Sequence, residues 1–98
     1  MKAVDDKEPL ALIVEDDEQI AHLLQFILRR EGFQVHLARD GKLAQQMIED
    51  LPPPTVVMLD VMLPYADGFQ LLGLIRSKPG WKELPVLMLT SKSQEKDV

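Results

Sequence analysis

The chain is 98 residues long, 46% of its residues are hydrophobic, and its formal net charge at pH 7 is −5. The length fits one small domain, the apolar content excludes a disordered chain, and the negative charge disfavours direct binding to nucleic acid. The absence of cysteine excludes disulfides and thiolate metal sites, and no apolar run approaches the ~20 residues of a membrane span. We therefore expect a soluble cytoplasmic protein with no membrane segment, in which residues 1–9 form a polar arm unlike a signal peptide.

The first predicted strand is the unbroken apolar run over residues 10–14, since a strand buried on both faces shows such a run. Three acids follow it: Glu15, Asp16 and Asp17. Asp is a favoured N-cap residue, so we interpret Asp17 as the cap of a helix from about Glu18 to Glu31 and not as a metal ligand. Apolar residues at helical spacing predict this helix: Ile20, Leu23, Leu24, Ile27 and Leu28.

The next two elements are a strand and a second helix. Gly32 suits the position just after the first helix. Residues 34–38 alternate between polar and apolar, which predicts a strand exposed on one side, as at a sheet edge. Asp40 begins the second helix, and the prolines at 52–54 end it. The predicted inner face of this helix consists of Leu43, Ala44, Met47, Ile48 and Leu51.

The third strand, residues 56–60, is apolar until its last residue, Asp60. A loop follows over residues 65–68, and Asp67 in it can cap a third helix that contains Gly73, for which we expect close packing against a neighbouring element. The turn over residues 77–80 should cover Trp81 and Leu84.

The fourth predicted strand is residues 85–89, with Thr90 at its end. Residues 91–98 are predicted to form a loop and the first turn of a fourth helix. Strands and helices therefore alternate along the chain, which predicts an α/β fold with a parallel sheet and helices on both of its faces.

Polar side chains follow three of these strands: Glu15, Asp16 and Asp17, then Asp60, then Thr90. Sites in open α/β sheets form outside the carboxyl ends of the strands, so Asp16 and Asp60 face each other if the first and third strands are neighbours. Magnesium prefers oxygen ligands and would relieve the repulsion between these carboxylates. The sequence therefore predicts a Mg²⁺ site, against the alternative that solvent relieves the repulsion.

An ionised Asp beside magnesium can also act as a nucleophile and accept a phosphoryl group. Asp60 is the candidate, and the Thr90 hydroxyl can donate a hydrogen bond to a phosphoryl oxygen. The alternatives are an Asp60 that reaches the surface at the strand end and a Thr90 bonded to backbone. His22 and His36 lack metal-ligand spacing, so we interpret both as surface or boundary residues.

From about Leu10 onward the sequence resembles the receiver domain of two-component response regulators. Three segments carry this resemblance, in this order and spacing: Leu12-Ile13-Val14-Glu15-Asp16-Asp17, then Asp60-Val61-Met62-Leu63-Pro64 with Asp67-Gly68, then Pro85-Val86-Leu87-Met88-Leu89-Thr90-Ser91. The resemblance implies a conformational switch controlled by a histidine kinase or a phosphotransfer protein. Self-catalysed phosphotransfer and dephosphorylation are also implied, although such a domain is not a conventional enzyme.

The family's functional residues have counterparts in this chain. The resemblance implies that Asp60 accepts the phosphoryl group and that Thr90 is the switch hydroxyl. It also implies that Glu15 and Asp16 hold Mg²⁺, with Asp16 as the direct ligand. The backbone carbonyl of Met62 would complete the coordination of the ion.

A receiver of this family has five strands and five helices, whereas these 98 residues reach only the start of the fourth helix. We therefore expect residues 10–98 to be a partial receiver domain. Its fold would be a flavodoxin-like doubly wound parallel sheet with strand order 2-1-3-4, lacking the fifth strand, the lysine after it and the last helix. Without that lysine we expect phosphorylation of Asp60 to be slow or absent.

The same comparison with the family predicts uncovered apolar surface. The strand Val86–Leu89 would be an open sheet edge, and Leu23 and Ile27 would lack the cover of a last helix. Open edges and exposed apolar patches recruit other chains, so we expect self-association through the open sheet edge.

Two other functions stay open. One is a phosphorylation-independent protein-interaction module. The other is an independent phosphatase or phosphotransferase with an Asp nucleophile, but such enzymes often place a second acid two residues after the first, where this chain has Met62.

Overall fold

The fold is described by a computed structural model for residues 8–63 and 66–89. The strands are β1 (Leu10–Val14), β2 (Gln34–Ala38), β3 (Val56–Asp60), β4 (Met62–Leu63), β5 (Ala66–Asp67) and β6 (Val86–Leu89). The helices are α1 (Glu18–Arg30), α2 (Gly41–Asp50) and α3 (Gly68–Ser77).

The main sheet has four parallel strands in the order β2-β1-β3-β6. This order confirms the predicted flavodoxin-like arrangement, in which the chain's first and third strands are neighbours. It also confirms that the second strand lies at a sheet edge. The register sets Ile13 opposite Met58 and Met58 opposite Leu87, so these three side chains lie on the same face of the sheet.

Each face of the sheet has its own apolar core. The larger core joins Leu12, Val14, Val57 and Leu59 of the sheet to Ile48 of α2, to Leu71 and Ile75 of α3, and to Trp81. The smaller core consists of Ala11 and Ile13 with Leu28 of α1, which Met58 and other half-buried residues join. Helices therefore lie on both faces, as the alternation of strands and helices predicted.

The helices begin at the predicted Asp residues, of which Asp17 and Asp67 were predicted as caps. Asp17, Asp40 and Asp67 are the N-cap residues of α1, α2 and α3, and the side chain of each accepts hydrogen bonds from backbone N–H groups. Gly32 follows α1 with φ of +91°, a conformation that favours glycine. Local sequence chemistry therefore sets where each of these helices begins and where α1 ends.

Several local predictions differ from the structure. Two residues of the predicted loop after Asp60 form strand β5, which pairs antiparallel with β4. Leu43 is 37% exposed rather than on the inner face of α2. A Cβ atom added to Gly73 would meet no atom within 4 Å, so the close packing predicted there is wrong.

Other predictions are confirmed or lie outside the described residues. Trp81 is 1% exposed, Leu84 packs against the larger core, and Leu23 and Ile27 are 55% and 46% exposed. The start of the polar arm, Thr90 and the predicted fourth helix lie outside the described residues. No helix within those residues is long and apolar enough to cross a membrane.

Candidate functional site

Three acids converge at the carboxyl edge of the main sheet. Glu15 and Asp16 follow β1, and Asp60 is the last residue of β3. Each offers a carboxylate oxygen, and these oxygens all lie within 4.8 Å of one another. Glu15 is 2% exposed and Asp60 is 1% exposed, whereas Asp16 is less buried. The structure thus brings together the three carboxylates that the sequence predicted to meet.

The parallel pairing of the central strands explains this convergence. Val14 lies opposite Leu59 in the register of β1 and β3, so the residues that follow them reach the same edge. On the outer sides, Glu15 N donates to Ala38 O at 3.0 Å and Val61 N donates to Leu89 O at 3.3 Å. Backbone bonds to flanking strands therefore fix both strand ends that carry the acids.

Asp17 belongs to the helix and not to the acidic group. Its Oδ1 accepts from Gln19 N at 2.9 Å and from Ile20 N at 3.0 Å, as the interpretation as an N-cap required. Its own backbone N–H donates to Glu15 Oε2 at 3.0 Å. The first turn of α1 therefore orients the side chain of Glu15.

After Asp60 the chain forms the paired strands β4 and β5, which lead into α3. Met62 lies opposite Asp67 in this hairpin. Asp67 and Gln70 form a capping box at the start of α3, and Gly68 N donates to Val61 O at 3.2 Å. The start of α3 is thus attached to the backbone just after the buried Asp60.

The donor set suits a hard divalent cation. Burying two carboxylates side by side is unfavourable unless hydrogen bonds or a positive charge compensate. Carboxylate oxygens from the ends of two strands, at this spacing and with one acid less buried, suit Mg²⁺, which prefers oxygen ligands and usually keeps several waters. The three acids therefore fit the predicted ion.

The remaining candidates from the sequence are Thr90, His22 and His36. Thr90, the predicted switch hydroxyl, lies outside the described residues. His22 is exposed and His36 is half-buried, and neither belongs to the acidic group, which agrees with their interpretation as surface or boundary residues. Arg39 directly follows β2 and pairs with Glu18 at 2.9 Å, with both side chains largely exposed.

Sequence reasoning missed the part played by Gly68. This residue is buried, and a Cβ atom added to it would lie 2.5 Å from Asp60 O. The available signal was an Asp-Gly pair at the start of a helix, soon after a strand that ends in an acid. Close packing was predicted for Gly73 instead.

An open parallel α/β sheet with buried acids at its carboxyl edge defines a class of domain suited to metal-assisted phosphoryl transfer. A family model described as the response regulator receiver domain matches residues 11–98. The chain belongs to this family. It is a receiver domain of two-component signal transduction, the class whose members accept phosphoryl groups and interact with histidine kinases or phosphotransfer proteins.

Solved structures agree with this assignment. A putative response regulator from Chloroflexus aurantiacus is 40% identical, with a TM-score of 0.76 over 88% of this chain and 70% of that one. TrrA from Thermotoga maritima, in complex with Mg²⁺–BeF, is 28% identical, with a TM-score of 0.76 over 91% and 75% of the two chains. The receiver domain of the sensor histidine kinase PA1611 from Pseudomonas aeruginosa is 27% identical, with a TM-score of 0.79 over 92% and 73%. That receiver has a magnesium ion coordinated in its active site cleft.

Proposed function

We propose that Asp60 is the phospho-acceptor of this receiver domain and that Glu15 and Asp16 bind Mg²⁺ beside it. The observation that carries the proposal is the convergence of the three carboxylates within 4.8 Å, with Asp60 at the end of a central strand. Residues 10–98 form the receiver portion in this proposal, residues 1–9 are an arm, and the domain acts in the cytoplasm.

Asp16 is the proposed direct metal ligand, with Glu15, Asp60 and the backbone carbonyl of Met62 completing the protein's share. The magnesium ion in the active site cleft of the PA1611 receiver supports a magnesium site in this domain, and the acidic cluster supports its location. When bound, the ion would neutralise negative charge that develops on the transferring phosphoryl group.

The protein's own contribution is mainly positional. The sheet and the hairpin hold the Asp60 carboxylate at a fixed place, where an Oδ oxygen forms the new bond to phosphorus. The bond between phosphorus and the donor's imidazole nitrogen breaks, and its electron pair stays on that nitrogen. Nearly complete burial of Asp60 limits access of water to the aspartyl phosphate. Thr90 is the proposed hydroxyl that senses the phosphoryl group and triggers the conformational switch.

Phosphorylation of Asp60 can be tested with acetyl phosphate and Mg²⁺, followed by intact-mass measurement. We expect slow incorporation of no more than one phosphoryl group per chain in the unmodified protein and none in Asp60→Asn. Asp50→Asn is the matched control, because Asp50 is exposed at the end of α2 and should not affect labelling. Equal labelling of Asp60→Asn would refute the assignment. Absence of labelling in the unmodified chain would favour the phosphorylation-independent interaction module.

A second proposal concerns self-association through the edge of the sheet. Within the described residues, β6 is hydrogen-bonded to β3 on one side only, and Leu87 on it is 51% exposed. An unpaired apolar edge of this kind can recruit the same edge of a second copy.

A further inference from the structure

We propose that Gly68 is a positioning residue for the phospho-acceptor site, and that the absence of a side chain at this position sets where Asp60 lies relative to Glu15 and Asp16. This inference rests on the proposed role of Asp60. It concerns a contact between backbone atoms, since Gly68 presents no functional group of its own to the site.

The space around Gly68 is closed by backbone. A Cβ atom added there would lie 2.5 Å from Asp60 O and 2.6 Å from Val61 Cα. Real Cβ atoms essentially never approach other heavy atoms closer than 3.0 Å, so the first contact would have to open from 2.5 Å to at least that distance. No flexible side chain can move aside, because both contacted atoms are main-chain atoms.

Neither side of this contact moves independently of the rest of the fold. The Asp60–Val61 backbone ends a central strand, and Val61 N donates to Leu89 O across the sheet. The start of α3 is held by the bond from Gly68 N to Val61 O and, further along, by the burial of Leu71 and Ile75. An added methyl group must therefore displace the end of β3, the start of α3, or both.

Such a displacement would move the Asp60 carboxylate relative to Glu15 and Asp16. Mg²⁺ requires near-ideal octahedral geometry at about 2.0–2.1 Å, and functional constellations need their groups placed to within about 0.5 Å. Asp60 carries its carboxylate on the same residue whose carbonyl oxygen meets the added methyl group. Loss of metal affinity is thus the expected consequence of Gly68→Ala.

The test compares Gly68→Ala with Gly73→Ala by isothermal titration with Mg²⁺. Gly73 lies in the same helix, and an added Cβ there meets nothing within 4 Å, so it controls for the change from glycine to alanine. We expect Gly68→Ala to raise the Mg²⁺ dissociation constant by about 10-fold or more, in line with the loss of metal affinity when groups that orient metal ligands are disturbed. Gly73→Ala should leave the constant unchanged. Equal affinities in the two variants would overturn the proposal.

A third variant separates positioning from general loss of stability. Ile75→Ala removes a buried side chain two turns further along α3 and should lower the melting temperature without touching the Asp60–Val61 backbone. At a temperature where all variants are folded, only Gly68→Ala should bind Mg²⁺ weakly. Equal weakening in Ile75→Ala, or a Gly68→Ala chain that stays unfolded where Ile75→Ala folds, would show that Gly68 serves the fold as a whole and would overturn the proposal.

Different results would refute the proposed metal site and the proposed role of Gly68. If the unmodified chain does not bind Mg²⁺, the proposed metal site itself is wrong. If the unmodified chain binds Mg²⁺ and Gly68→Ala binds it equally well, the site stands and only the positioning role of Gly68 is wrong.

Discussion

Asp17 caps helix α1 and also contacts Glu15 of the acidic site. Its side chain accepts two backbone N–H groups of α1, while its own N–H donates to Glu15. The side chain and the main chain of Asp17 thus serve different elements. Substitution of the side chain separates these two roles, since the backbone donor is retained.

Asp17→Ala should destabilise the domain and leave its response to Mg²⁺ intact. Loss of an N-cap costs about 1 kcal/mol, which lowers the melting temperature by roughly 4–8 °C in a domain of this size. Asp17→Asn keeps an acceptable cap and should melt near the unmodified chain. Loss of stabilisation by Mg²⁺ in both variants would show instead that the Asp17 carboxylate binds the ion.

Asp16 is the residue whose charge the proposed ion needs most directly. A ligand present at 100 times its dissociation constant stabilises the folded chain by about 2.7 kcal/mol, so saturating Mg²⁺ should raise the melting temperature measurably. Asp16→Asn should abolish this increase, whereas Asp50→Asn should not change it. A melting curve of the unmodified chain that is insensitive to Mg²⁺ would contradict the metal assignment.

At the scale of elements, one lysine joins the ends of two helices. Lys78, just after α3, donates from Nζ to the backbone carbonyls of Ile48 and Glu49 at the end of α2, the latter at 2.9 Å. The same ammonium group lies 5.6 Å from the centre of the Trp81 ring. Lysine side chains that satisfy the last carbonyls of a helix also interact favourably with its dipole.

Lys78→Met should therefore lower the stability of the domain by about 1–3 kcal/mol, the range for hydrogen bonds to charged groups and for carbonyls left unsatisfied. Methionine keeps much of the apolar stem that lies near Trp81, so the loss of stability measures the contribution of the ammonium group. Lys82→Met is the matched control, because Lys82 is exposed and its side chain should be dispensable. Urea denaturation measures both, and equal midpoints would show that the Lys78 contacts contribute nothing.

The long elements were predictable because their signals are local. Apolar runs predicted β1, β3 and β6, alternation of polar and apolar residues predicted β2, and three Asp residues located the helix starts within a residue. The β4–β5 hairpin was missed because strands of two residues are too short to show a period in sequence. Leu43 was wrongly assigned to the inner face of α2 because helical spacing alone predicts a buried face that is wider than the one observed.

For the candidate site, the meeting of the three acids was predictable from the sequence, whereas the role of Gly68 was not. Parallel strands deliver Glu15, Asp16 and Asp60 to one edge, and this follows from the order of elements. Gly68 was missed because a close approach between backbone segments depends on how the α3 start meets the β3 end, which no sequence period encodes. Close packing was predicted at Gly73 only because glycine is unfavourable inside a helix.

At the scale of the whole molecule, the two faces of the sheet are covered unequally within the described residues. The helices α2 and α3 lie on one face and α1 lies on the other. Leu87 is exposed on the α1 face beside the half-buried Met58. Leu23, Phe26 and Ile27 of α1 are exposed as well, so more of the exposed large apolar side chains lie on α1 and its side of the sheet than on the other face, where Leu43 and Phe69 are exposed.

We expect the 98-residue chain to self-associate, with an average mass in sedimentation equilibrium that rises with concentration. Leu87→Lys places a charge on β6, which pairs on one side only among the described residues, and should shift the equilibrium toward monomer. Leu43→Lys makes the same change at an exposed position of α2 and should have little effect. A strictly monomeric unmodified chain with a sharp thermal transition would contradict this expectation.

Trp81 is the chain's single tryptophan, and it is almost wholly buried in the larger core. Among the described residues its indole N–H has no hydrogen-bond partner. It lies between α3 and β6, at the amino edge of the sheet, whereas the acids lie at the carboxyl edge. Its fluorescence is therefore an intrinsic optical reporter of unfolding: emission should shift to longer wavelength when the core opens and stay nearly constant when an ion enters the opposite edge.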